Sequence, residues 1–146
     1  MHYFAYGSNM DWRQMKRRCP SSEFCFVARL PNYRFAIARH SQLRKCGTAN
    51  IFAENGSEVW GIVYDVNEQD LQTLDGFEDG YRRERIFVFA SGDGRHPQEA
   101  IVYIAEKEGN APLPTREYKR LIVEGATYWE LPPIYLAMLE KIATTV

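Results

Sequence analysis

Two short segments carry the residues best suited to chemistry. The first, Tyr3-Phe4-Ala5-Tyr6-Gly7-Ser8-Asn9, reads as an aromatic strand running straight into a glycine-bearing turn. Glycine lets backbone approach a ligand closely, and successive amide N–H groups in such a turn form a concavity that suits a carboxylate. The second, Leu74-Asp75-Gly76-Phe77-Glu78-Asp79-Gly80-Tyr81, closes a helical pattern and precedes a strand. A carboxyl group pocketed there has its pKa raised from about 4.3 toward neutrality, where it accepts and returns protons readily. The residue pattern leaves Asp75, Glu78 and Asp79 as equal candidates for that proton carrier. The plain structural alternatives are an ordinary strand-to-turn junction and a solvated helix end.

Other chemistries find less support. Ser8 lies in no G-x-S-x-G elbow, and His2, His40 and His96 have no metal-ligand or triad spacing. Cys46 near His40 reads as an incidental or buried thiol. HExxH, P-loop and GxGxxG patterns are absent from the chain. A glutamate with a carboxylate-gripping loop suits a reaction whose nucleophile already sits in the substrate. The protein then folds the substrate and moves protons, since holding reacting groups together is worth roughly 7–11 kcal/mol.

The elements that must position these residues follow from pattern and punctuation. Strand-like runs fall at Tyr3 to Tyr6, Phe24 to Leu30, Tyr33 to Ala38, Thr48 to Ala53, Val59 to Val66, Arg85 to Ala90 and Ala100 to Ala105. Turn signals separate them at Pro31-Asn32, Glu54-Asn55-Gly56-Ser57 and Ser91-Gly92-Asp93-Gly94, the last suiting a hairpin. Helices are predicted over Asp11 to Arg18, stopped by Cys19-Pro20; after the cap Asn67; behind Thr115, with Tyr118, Leu121, Ile122 and Gly125 on one stripe; and behind Pro132-Pro133. Strands this numerous with few helices exclude regular βαβ alternation. The expected fold is α+β: a mixed, strongly curved or barrel-like sheet with helices at its rim.

With 146 residues, 45% of them hydrophobic, the chain has the size of a single domain, 1–146, with core enough to need no metal or disulfide staple. Eighteen basic against 19 acidic residues give a net charge of -1, which offers no field for nucleic acid or an anionic membrane. The basic runs at Arg13 to Arg18 and Arg82 to Arg85 read as solvated faces. Three cysteines without a CxxC pair, no basic-then-apolar leader and no long apolar run point to a reducing cytoplasm. Oligomeric state is not set by these features.

An ordered series of motifs then narrows the reading. Y-F-A-Y-G-S-N-M at 3–10, V-A-R-L at 27–30, E-V-W-G-I-V-Y at 58–64, L-D-G-F-E at 74–78, P-T-R-E-Y-K-R-L-I-V-E-G-A at 114–126 and L-P-P-I-Y at 131–135 together resemble the γ-glutamylcyclotransferase family, from Tyr3 to about Ile142. The resemblance implies that the α-amine of a γ-glutamyl group attacks its own γ-carbonyl, releasing 5-oxoproline and a free amine, with no cofactor. Glu78 matches the family's catalytic acid/base. Tyr3, Phe4, Ala5, Tyr6, Gly7 and Ser8 match the substrate-binding loop, whose backbone amides hold the glutamyl end, and Tyr118 matches a tyrosine that lines the site. The segment Asp79 to Arg83 is closer to the wider bacterial branch, and Glu130 stands where a glycine is frequent, so the leaving group stays open among γ-glutamyl amino acids, γ-glutamylamines and γ-glutamyl-capped natural products. The rival readings are a γ-glutamyl hydrolase or acyltransferase on the same fold, and a non-catalytic small-ligand binding module.

Overall fold

The computed structural model describes residues 1–106 and 109–146. Five strands close into a barrel in the order β1-β3-β2-β4-β5: β1 (His2–Ala5), β2 (Glu23–Ser41), β3 (Cys46–Asp65), β4 (Tyr81–Ala90) and β5 (Gln98–Ala105). Each neighbouring pair is antiparallel except β1 with β5, where Tyr3 pairs in parallel with Ile101 and closes the cylinder. Among the described residues four α-helices decorate it: α1 (Trp12–Arg18), α2 (Glu68–Phe77), α3 (Arg116–Tyr128) and α4 (Pro133–Glu140).

The expected curved, mixed sheet is present, but two strand boundaries are not. Phe24 to Leu30 and Tyr33 to Ala38 belong to β2, and Thr48 to Ala53 and Val59 to Asp65 belong to β3, which stops one residue short of the expected Val66. The punctuation between them makes a bulge instead of a turn. Pro31 pairs with Glu58 and Tyr33 with Ala53, so Asn32 stands opposite residues 54–57. Asn32 takes φ 63 and Gly56 φ 86, and the Gly56 N–H donates to Asn32 Oδ1 at 3.1 Å. Local side-chain hydrogen bonding and left-handed backbone absorb the surplus residues, and the hairpin bends without breaking. The predicted 91–94 hairpin does link β4 to β5, with Val88 opposite Gln98.

Helix starts are set by caps. Asp11 accepts from the N–H groups of Arg13 and Gln14 at the head of α1, and Thr115 from that of Tyr118 at the head of α3. Asn67 and Asp70 exchange side-chain and backbone bonds in a capping box that opens α2. Phe4, Val59, Ile62, Val63, Val88 and Val102 are fully buried on the two faces of the strands, and Leu71, Leu74, Ile122 and Leu139 are buried on the helices. Each such side chain contributes roughly 1.5–3 kcal/mol by leaving water.

One close approach governs the site. Helix α3 packs on a short 3-10 turn, Ser8–Met10, and a Cβ at Gly125 would stand 2.4 Å from the Met10 carbonyl carbon. Backbone cannot move aside as a flexible side chain can. Gly125→Ala is therefore expected to lower stability by about 1–3 kcal/mol despite its better helix propensity. Urea unfolding of the variant checks this, and an unchanged midpoint would refute it.

Candidate active site

Strand β1 delivers its last residues to a cavity of about 340 Å³, counting the open mouth. Gly7 caps the 3-10 turn, and the N–H groups of Gly7, Ser8 and Asn9 find no acceptor among the described residues. Such amides are the ones a helical turn leaves unpaired at its start. Of the residues expected from sequence, Tyr3, Phe4, Tyr6, Gly7, Ser8, Glu78 and Tyr118 line the cavity. Ala5 is the exception. Its side chain lies in the core, and its carbonyl presses on Gly61, where a Cβ would approach to 2.3 Å.

The wall also contains Asn9, Ala49, Tyr81 and Tyr103, none of which the motifs had singled out as binding residues. Asn9 and Tyr81 each end a segment that was already conspicuous. Ala49 and Tyr103 carry no such signal, being ordinary strand residues brought in by closure.

Glu78 is the C-cap of α2, its N–H bonded to Leu74 O at 3.0 Å and Asp75 O at 3.3 Å. Its carboxyl takes no hydrogen bond and no ion pair among the described residues. Burial pushes it up to about 7 from an ordinary 4.5, against the pull of Arg18 and Arg44 and with a further push from Asp75. The neighbouring acids are occupied elsewhere. Asp75 receives two bonds from Arg83, at 2.9 and 2.7 Å, which hold it below the usual carboxylate range, and one from the Tyr103 hydroxyl at 2.6 Å. Asp79 is exposed, 3.9 Å from Arg39. Of the three acids that the pattern left open, Glu78 is the one facing the cavity.

Tyrosines surround it. A register shift between Ile37 and Arg39 in the β2–β3 ladder occurs beside Ala49. The Ala49 N–H donates to the Tyr118 hydroxyl at 2.9 Å, and its C=O accepts from the Tyr81 hydroxyl. A sheet irregularity thus aims two cavity tyrosines. Tyr6 donates to the Tyr103 carbonyl at 2.6 Å. Burial raises Tyr3, Tyr6 and Tyr118 well above the ordinary phenol value, so all three stay protonated at physiological pH.

A raised carboxyl also leaves a mark on stability. Unfolded Glu78 ionises near 4.5 and folded Glu78 near 7, so between these values the native chain keeps a proton that the unfolded chain has lost. Stability falls as pH rises through that window and stays lower above it. Glu78→Gln lacks this ionisation and is expected to be more stable than the parent above pH 7 by about 2–3 kcal/mol, the gap closing below pH 4.5. Paired denaturation curves at pH 4.5 and 8 measure it; a pH-independent difference would contradict the burial of this carboxyl.

Tyr118→Phe leaves the buried Ala49 N–H without its acceptor. The variant is expected to fold with a loss of about 1–3 kcal/mol and to turn over more slowly, which thermal unfolding and kcat/KM together test.

Comparison with known proteins agrees with this architecture. A family model described as Gamma-glutamyl cyclotransferase, AIG2-like matches residues 3–129. Proteins named gamma-glutamylcyclotransferase from Mus musculus and Homo sapiens are 32% and 33% identical, each aligned over 96% of this chain and 77% of its own length. A solved structure of a gamma-glutamyl cyclotransferase superposes with a TM-score of 0.89 at 31% identity, covering 99% of this chain and 89% of that one. YkqA from Bacillus subtilis, at 21% identity and a TM-score of 0.78, shares the fold over 99% of this chain and 56% of its own. On this match in sequence and architecture, the chain belongs to the gamma-glutamyl cyclotransferase, AIG2-like family and is an enzyme of that type.

Proposed function

We propose that the chain cyclises a γ-glutamyl group to 5-oxoproline and releases an amine or amino acid, with Glu78 as the acid/base. The observation that carries this is the Glu78 carboxyl itself: half-buried, raised to about 7 and without a hydrogen-bond partner among the described residues, in a cavity it shares with the unpaired amides of Gly7, Ser8 and Asn9. A group near pH 7 is half ionised there, so it removes and returns protons with little bias.

The proton balance fits one carboxyl. The substrate's α-nitrogen arrives as an ammonium with three protons and ends as a lactam N–H with one. The departing nitrogen starts as an amide N–H and leaves as an ammonium with three. Two protons cross between the nitrogens, the new C–N bond forms as the old one breaks, and Glu78 ends in its starting state. The cavity's contribution is to hold the chain of the substrate bent so that amine meets carbonyl.

The loop from Tyr3 to Ser8 holds the glutamyl end in this reading, Ala5 acting through its place in the strand, and Tyr118 borders the reacting groups. The reaction as balanced draws on no cofactor. Free thiols at Cys19, Cys25 and Cys46 suit a reducing, cytoplasmic setting. No helix among the described residues is long and apolar enough to cross a membrane.

The test is mass-spectrometric detection of 5-oxoproline from a panel of γ-glutamyl amino acids and γ-glutamylamines. Glu78→Gln is expected to fold and bind while losing roughly 10²–10⁴-fold in kcat. The parent's kcat/KM should rise with pH through an acid limb near 7, where Glu78 ionises. Free glutamate as the product would replace this reading with hydrolysis, and full turnover by Glu78→Gln would remove the residue from its role.

A further inference from the structure

We infer that Arg18 and Arg44 are positioning residues. Through Asn9 and Gln14 they fix the direction of a hydrogen-bond chain that leaves the Ser8 hydroxyl able only to donate and turns the Tyr3 hydroxyl toward donation, and these hydroxyls hold the α-carboxylate of the glutamyl group. The inference rests on the reading of the cavity as a γ-glutamyl site.

The direction follows from arginine having no acceptor atom. Arg44 donates to Gln14 Oε1 at 2.9 Å, which assigns that atom as the oxygen. Gln14 Nε2 therefore faces the loop and donates to Ser8 Oγ at 2.9 Å and to Asn9 Oδ1 at 3.0 Å. Arg18 donates to the same Asn9 Oδ1 at 3.1 Å, which turns Asn9 Nδ2 toward Tyr3 and a bond to its hydroxyl oxygen at 3.0 Å. Arg44 reaches Ser8 Oγ as well, at 3.3 Å. Ser8 Oγ thus accepts twice and the Tyr3 hydroxyl once. Their own protons have no acceptor among the described residues, and both side chains line the cavity.

The chain resists reversal. Gln14 and Asn9 are only 6% and 3% exposed, so turning either amide would set an N–H group against a guanidinium and leave a buried acceptor unmet. A buried polar group left without its partner is strongly disfavoured. The arginines themselves stay behind the wall. Arg44 lies over the Tyr118 ring at 5.0 Å and Arg18 over the Phe77 ring at 4.1 Å, and neither pairs with a carboxylate among the described residues. They stand to the loop as fixed donors at its back. A wall offering protons without acceptors holds an anion, while Glu78 supplies the acceptor for the ammonium on the same substrate carbon.

Gln14→Glu tests this, because it keeps the shape but replaces a donor with an acceptor that can take the Ser8 proton. Binding is measured by calorimetry in the Glu78→Gln background with two ligands differing only in the α-carboxylate, γ-glutamylalanine and 4-aminobutanoylalanine. Gln14→Glu is expected to weaken the first by about tenfold or more and the second by no more than about twofold. Ser8→Ala should weaken the first similarly, and the double variant should be no worse than the weaker single, since both act through one proton. With Glu78 intact, Gln14→Glu should raise KM and spare kcat, and Arg44→Lys should keep more of the discrimination than Arg44→Met. Equal weakening of both ligands, an additive double variant, or a fall in kcat at constant KM would each overturn the inference. Absence of 5-oxoproline from the parent enzyme would defeat the cyclisation reading separately, and failure of γ-glutamylalanine to bind would defeat both.

Discussion

The site depends on drawing one carboxyl largely away from water without giving it a partner among the described residues. Desolvation raises Glu78, and two guanidiniums nearby pull the other way; desolvation wins, and the group stays near 7. That outcome requires the arginines to be close enough to matter and too committed to pair. Arg18 is spent on Asn9 and the Phe77 ring, Arg44 on Gln14, Ser8 and the Tyr118 ring. Had either reached Glu78 directly, a charge-assisted pair would have fixed it as a permanent anion.

The same economy separates the acids along α2. Asp75 precedes Glu78 by three residues, close to one helical turn, yet it is ionised and tied to Arg83 on β4 and Tyr103 on β5. Its bonds fasten the end of α2 to the barrel, and its charge pushes Glu78 further up. A structural ion pair and a reactive acid from one short segment thus come from opposite environments, one supplied with donors and the other deprived of them.

Much of this was legible in the chain, for identifiable reasons. Caps at Asn67 and Thr115 are local chemistry, and they mark the helix starts found, while Asp11, expected as the first helical residue, is the cap one position earlier. The loop and the acidic cluster around Glu78 stood out because glycine-bearing turns and acidic helix ends have local signatures, and the family resemblance then singled out Glu78. The bulge at Asn32 and Gly56 did not, since its residues also suit turns, and only the partner strand decides which forms. Asp75 and Glu78 could not be separated by local pattern, because the difference lies in Arg83 and Tyr103, contributed by strands later in the chain. Gln14 read as one more polar residue on a basic helix; its burial and its direction depend on Arg44, 30 residues away.

Barrel closure therefore builds the site as well as the core. Tyr3 pairs with Ile101, Tyr6 bonds to Tyr103, Tyr118 bonds to Ala49, and Tyr64 holds the Asn9 carbonyl at 2.7 Å. Each contact joins distant parts of the sequence, and each orders a cavity residue or its immediate neighbour. An open sheet would leave Glu78 in water, where its pKa would return to the ordinary range and its proton affinity would no longer match the task. The chemistry is thus contingent on cooperative tertiary structure: no fragment containing Glu78 and the loop but lacking β5 or α3 has the walls that make this carboxyl a base near neutral pH.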